Sequence, residues 1–304
     1  MIEENDTLVA CKNIHDMKTH KMSYLKDHPK KLKIALCLYG LQGNLYSKSG
    51  LGNLECKALH KRQKLIKKQE KHLNHHKFFI DENSNTNVTQ LAYNYWDEYF
   101  LSRYDVDIYI HSWEPDISES IIELYNPVKY KFENKKTFDI PENVAGTESR
   151  KQNHYSRWHS QFECNKLRRD SGIRYDFIMM SRFDMAWSKT IKFEELEKDI
   201  LYYPGDYFHL NHSHKMQDLF HISQDKIMND FCDLYNNIEE YSKLHSKYIN
   251  NQKVGISSHR LSKHHVRKME VEHDTLLYRR QNREKESDYT ILRLLHELKE
   301  VRYE

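Results

Sequence analysis

The segment RYDFIMMSRFDMAW, residues 174–187, constrains what this chain can fold into more than any other. Residues 175–180 are too apolar to leave either face in water, so they read as a central strand of an α/β sheet. In such sheets ligands bind beyond the carboxyl ends of the strands. The strand runs directly into Arg182-Phe183-Asp184, which places a carboxylate and a cation at that edge. A carboxylate there can hold a metal or a sugar. The competing reading is a strand-end acid paired to Arg182 or capping a turn.

The flanking segments fit the same architecture. Residues 33–39, KIALCLY, form a second buried-strand candidate, followed by Gly40, Leu41, Gln42, Gly43 and Asn44. Two glycines in that turn let a ligand approach the backbone. Val88, Leu91, Ala92, Tyr95 and Tyr99 recur at helical spacing, which predicts an amphipathic helix over 87–103. Residues 105–111, DVDIYIH, alternate as a strand. The three prolines of 115–146 suggest loops with short strands. Tyr155, Trp158 and Phe162 share one stripe of a helix over 152–170, which Gly172 stops. Strand alternating with helix predicts a doubly wound, mostly parallel sheet. A short strand over 201–204 and a helix from Asp225 to about 238 follow. Ile291, Leu294, Leu295, Leu298 and Val301 form an apolar stripe that docks on the body or on a second copy in a homodimer.

The domain layout expected is an N-terminal tail over 1–30, an α/β domain over 31–240 with a basic helical insertion at about 57–86, and a helical C-terminal extension over 241–304. At 304 residues there is enough chain for a full core. The 48 basic and 45 acidic residues nearly cancel, so net charge does not call for nucleic acid. No run reaches membrane-spanning length, and residues 1–31 lack a signal peptide's apolar core. Five scattered cysteines, without a CxxC pair, suit buried thiols in a reduced cytoplasmic setting. Only 8 glycines occur, and no GxxxxGK[ST], GxGxxG or GxSxG motif is present.

Residues 57–77 carry eight Lys/Arg against one Glu. Such a run is ordinarily a solvated face, with peripheral contact to an anionic membrane as the functional reading. Aromatic stacking groups are not woven through it, which disfavours nucleic acid. His209, His212 and His214 lie close together, with His259, His264 and His265 further on. Short His spacings can seat zinc, but 20 histidines make such clusters expected by chance. Trp113, Trp158 and Trp187 read as core residues or as stacking platforms for a base or sugar. Two glycosylation-type triplets begin at Asn87 and Asn211 and carry no weight without a secretory leader.

In their order, KIALCLYG, YDVDIYIHSW, YSRWHSQFECNKL, YDFIMMSRFDM and DLFHIS resemble the glycosyltransferases of bacterial and large-virus surface-glycan clusters. The resemblance spans roughly residues 32–235 and implies a GT-A-like, Rossmann-type α/β fold. It implies transfer of a sugar from a nucleoside-diphosphate donor to a hydroxyl of a glycan or glycolipid, assisted by Mn2+ or Mg2+. Asp184 then matches the metal and donor carboxylate, and Arg182 the supporting cation. Tyr39, Gly40, Leu41, Gln42, Gly43 and Asn44 match the nucleotide turn. Asp107, and His111 to Trp113, match the second strand and its end. Tyr155 and Trp158 match the helix facing the donor, and Asp218 the catalytic base. The turn lacks the arginine that the family commonly carries, and RFD stands in place of a full DxD. A non-catalytic nucleotide- or glycan-binding relative and a His-ligated metal hydrolase are the alternatives.

Overall fold

A computed structural model of the chain describes residues 32–41, 88–206, 216–245, 248–249, 252–253, 256–279 and 288–291. The expected tail, the basic run, Gln42 to Asn44, the histidines at 209, 212 and 214, and the apolar stripe beyond Ile291 lie outside the described residues.

Seven strands form the main sheet: β1 (Lys33–Gly40), β2 (Asp105–Ser112), β3 (Lys129–Phe132), β4 (Phe177–Arg182), β6 (Ile200–Asp206), β7 (Phe220–Ser223) and β10 (Glu272–Arg279). Their order is β10-β6-β7-β4-β1-β2-β3. The two continuous apolar runs, β1 and β4, are neighbours at its centre, and Ile34 to Leu38 are wholly excluded from solvent. That is the position such sequences require, because a central strand is covered on both faces. Pairing is parallel from β4 through β1 and β2 to β3, and again between β10 and β6. Only β7 runs against its neighbours β4 and β6. The sheet is thus mostly parallel and α/β, as the sequence suggests. A short strand β5 (Met185–Trp187) pairs with β11 (Tyr289–Ile291), and β8 (Tyr248–Ile249) pairs with β9 (Gln252–Lys253).

Six α-helices are described. They are α1 (Val88–Trp96), α2 (Ser118–Tyr125), α3 (Glu148–Arg169), α4 (Asp225–Cys232), α5 (Ile238–His245) and α6 (Ser258–Met269). In α3 the Thr147 hydroxyl accepts from Arg150 N, Glu148 sits in the first turn, and Lys166, Arg168 and Arg169 occupy the last. Each choice suits the helix dipole. The helix lies across β1 and β2, where Cys164 Sγ reaches the carbonyls of Leu38 and Tyr109 at 3.4 Å. Cys37, Cys164 and Cys232 are free and buried.

Two segments differ from the sequence-based expectation. Residues 118–125 are helical rather than loop, because Pro115 opens the preceding 3-10 turn instead of breaking a helix. Asn126, at φ 42°, closes α2 in the left-handed conformation. The C-terminal part supplies the expected helix, α6, but also β10, which joins the main sheet beside β6. Its sequence, EHDTLLYR, is too polar at its start to announce a strand. Among the described residues no helix is long and apolar enough to cross a membrane.

Candidate active site at the carboxyl edge of the sheet

From β1 the chain builds the sheet toward β2 and β3 on one side and toward β4 on the other. The carboxyl ends of β1 and β4 therefore flank the topological switch point, where open α/β sheets form their ligand crevice. Tyr39 and Arg182 are register partners at that point. Because β7 runs the other way, Asp218, two residues before it, arrives at the same edge. The N-terminal half of α3 adds Arg157, and α6 adds His259.

These side chains form one network. Arg157 Nη2 donates to the carbonyl of Asp218 at 2.5 Å and to the Tyr39 hydroxyl at 3.2 Å. Its Nε lies 3.4 Å from Asp218 Oδ2, while His259 Nδ1 lies 3.6 Å from Oδ1. The guanidinium also stacks 4.2 Å from the ring centre of Trp158. Burial pushes the Asp218 carboxyl upward, but Arg157, His259 and Arg182 outweigh it and hold the group well below the usual carboxylate range. Burial raises the Tyr39 phenol, against the pull of Arg157. His221, buried on β7, is pushed down to about 3 by burial and by Arg157. It is neutral at physiological pH.

Arg182 and Asp184 form a two-pronged pair, with Nε to Oδ1 and Nη2 to Oδ2 both at 2.7 Å. Asp184 is 1% exposed and Arg182 is 22% exposed, so the acid is the anchor and the cation faces outward. Burial alone lowers the guanidinium's pKa, yet Asp184 more than compensates and holds it above its ordinary value. Such forks fix guanidinium geometry as well as charge. Arg182 engages both carboxylate oxygens of Asp184, so a metal held there as expected would share the acid with the guanidinium.

Of the residues singled out in the sequence, Tyr39, Arg182, Asp184 and Asp218 come together here. Gly40, at φ +96°, adopts a conformation that favours glycine at the end of β1, and Leu41 is exposed. Tyr155 and Trp158, expected to face the donor, are instead core residues. Trp158 is wholly buried and meets Phe231 edge-on at 5.9 Å, and Tyr155 packs into the same cluster. Their apolar stripe turns inward, so the neighbouring Arg157 takes the outward position. Trp187 is likewise core, against Trp96 and Phe220. Asp107 lies near the opposite edge, bonded by Lys33 and Tyr175 at 3.2 and 2.8 Å. His111, although registered with Tyr39, turns to Ser160 and Glu133, and Trp113 packs beside it.

The described C-terminal histidines do not converge. His259 bonds the Met216 carbonyl, His264 meets the Tyr241 ring, and His265 bonds Tyr241 and the Asp230 carbonyl. Arg157 was not legible as a site residue, since a charged helical position ordinarily reads as a solvated face, and His259 was singled out only with the histidines that could seat zinc. Ser156, Ser160, Gln161 and Asn165 of α3 are polar yet buried, so the structure turns a polar helix face toward polar partners.

No family model matches the chain, and no curated protein matches it. Among solved structures, it resembles the CTP:phosphocholine cytidylyltransferase of Streptococcus pneumoniae, with 10% identity and a TM-score of 0.43 over 89% of this chain and 98% of that one. It resembles the nucleoside-diphosphate-sugar pyrophosphorylase of Vibrio cholerae RC9 with the same identity and score, over 89% and 100%.

Proposed function

We propose that this chain is a nucleotide-using transferase and, within that class, a glycosyltransferase acting on a nucleoside-diphosphate sugar. One observation carries the reading: two guanidiniums, each oriented by its own carboxylate, stand at the switch point of the sheet. Arg157 retains a buried Nη1 without a hydrogen-bond partner among the described residues. A diphosphate leaving group gathers negative charge as the sugar departs, and fixed cations stabilise that charge without reorganising. Arginine suits the task because its fork matches phosphate oxygens.

In this reading Arg182, held by Asp184, and Arg157, held by Asp218, receive the diphosphate. Tyr39 and Gly40 lie beneath the nucleoside. The acceptor, a glycan or glycolipid hydroxyl, enters above Asp218. As long as Arg157 holds Asp218, that carboxylate is a weak base, because efficient bases titrate near the working pH. Once the diphosphate shares the charge of Arg157, Asp218 regains basicity and takes the hydroxyl proton. No step is routed through a metal.

The test is thermal unfolding of the full chain against nucleoside diphosphates and nucleotide sugars, with and without Mn2+, followed by a transfer assay with the best donor. A donor at ~100 times its dissociation constant stabilises by ~2.7 kcal/mol. The shift should disappear in Arg182→Ala. Folded protein that responds to no nucleotide would overturn the reading; binding without sugar release would reduce it to a non-catalytic nucleotide-binding protein.

A further inference from the structure

Three side chains converge at the β2–β3 end of the carboxyl edge and take no part in the network above. His111 is the penultimate residue of β2 and wholly buried, Glu133 follows β3, and His159 lies on α3. His111 Nε2 is 3.0 Å from Glu133 Oε1, and His159 Nε2 is 3.4 Å from the same oxygen. The three ligand atoms all lie within 4.8 Å of one another. Tetrahedral zinc with bonds of roughly 2.0–2.1 Å sets neighbouring ligand atoms about 3.3 Å apart. Two edges of the triangle already have about that length.

Proton accounting points the same way. The Ser160 hydroxyl donates to the His111 carbonyl at 3.4 Å, which leaves its oxygen to accept from His111 Nδ1 at 2.7 Å. With the proton on Nδ1, the Nε2 lone pair faces a carboxylate oxygen. His159 brings a second ring nitrogen to that oxygen, and its buried Nδ1 has no hydrogen-bond partner among the described residues. A proton can bridge only one such pair at a time, whereas a divalent cation serves all three donors.

Aromatic walls fix the rings. Trp113 stacks on His159 at 5.5 Å and meets His111 edge-on at 4.9 Å, while Tyr235 contacts His159 at 5.0 Å. The Ser160 contact to the distal nitrogen of His111 supplies the outer support that metal-bound histidines ordinarily have. Lys131 and Lys136 approach Glu133 at 3.3 and 3.7 Å. Lys131 also holds Glu163 at 2.8 Å, so it has an anionic partner when an ion takes up Glu133.

We propose that His111, Glu133 and His159 form a His2Glu site for a divalent transition metal, with zinc the best match to the donors. Three protein ligands leave the fourth position to water or to an oxygen of a bound anion, the composition of reactive zinc sites. Asp184 is not among the ligands, and the site stands independently of the transferase reading.

The experiment uses the full chain, stripped with chelator and reloaded with zinc or cobalt, beside Glu133→Gln and His159→Gln. Circular dichroism establishes that each is folded. Wild type should retain one more metal equivalent than either variant and show the visible bands of four-coordinate cobalt. Loss of a ligand should weaken binding by at least the ~10–100-fold that outer-shell changes alone produce. Equal metal content and identical cobalt spectra in wild type and Glu133→Gln would overturn the proposal, as would folded wild type that retains no zinc. Glu133 is a quarter exposed and its glutamine is isosteric, so that variant carries the test if His159→Gln does not fold.

Discussion

Tyr39 and Arg182 are register partners at the carboxyl ends of two adjacent parallel strands, although 143 positions separate them in the sequence. Arg157 touches the first through its hydroxyl, and Asp184 clamps the second from behind. The central strands thus fix the two ends of a polar network whose groups would otherwise be scattered along the chain.

Replacing Arg157 with alanine removes the cation that neutralises Asp218. Both partners are partly exposed, so solvent screens some of the loss and we expect about 1–3 kcal/mol of destabilisation in urea unfolding. Arg157→Lys should recover little of it, because an ammonium lacks the fork that sets Nε on the Asp218 carboxylate while Nη2 meets the Asp218 carbonyl and Tyr39. Full recovery by lysine would show that charge alone matters at this position.

For the Arg182–Asp184 pair, removing the arginine should be the costlier change. Arg182→Ala strands a carboxylate that is 1% exposed, at a cost of about 3–5 kcal/mol. Asp184→Asn leaves a neutral side chain behind and costs less. The double variant should be more stable than the sum of the two single losses predicts, and a double-mutant cycle by chemical denaturation measures that coupling.

Acid should destabilise the fold through His221. Its folded pKa of about 3 lies below the ordinary histidine value of 6.5, so the unfolded chain binds the extra proton between those pH values. Stability therefore falls as pH drops from ~6.5 toward ~3, by at most ~1.4 kcal/mol per pH unit for this one group. Asp218, whose folded pKa is also lowered, adds its own loss below the usual carboxylate range. His221→Phe should flatten the pH dependence of the urea midpoint between pH 6.5 and 4. An unchanged slope would remove His221 from the account.

Trp158 distinguishes core from ligand platform. Trp158→Phe should lower stability by about 1–3 kcal/mol, as expected for a shape change in a packed interior. Any nucleotide-induced thermal shift should survive at similar size. Selective loss of that shift in a stably folded variant would restore the tryptophan to the donor site.

What the sequence disclosed follows from how each feature is encoded. β1 and β4 were legible because burial on both faces demands an unbroken apolar run. Tyr39, Arg182, Asp184 and Asp218 were legible because they sit where such runs stop or start. Arg157 was not, since its role arises from a tertiary contact and not from a local pattern. The same holds for Trp158: the helical stripe was correct, but periodicity does not say whether a stripe meets a ligand or a sheet. The helix α2 escaped because prolines were read as breaks, although Pro115 stands where a helical turn begins.

The placement of β1 also has a consequence for the newborn chain. Among the described residues the first strand to leave the ribosome is β1, one of the two central strands, and its backbone pairing with β4 must wait for residues 177–182. At synthesis rates of ~5–20 residues per second, that interval is on the order of ten seconds. Throughout it, the apolar stretch from Ile34 to Leu38 has no completed sheet to enter. Among the described residues it is a stretch that a chaperone would protect, and slower translation would lengthen the exposure.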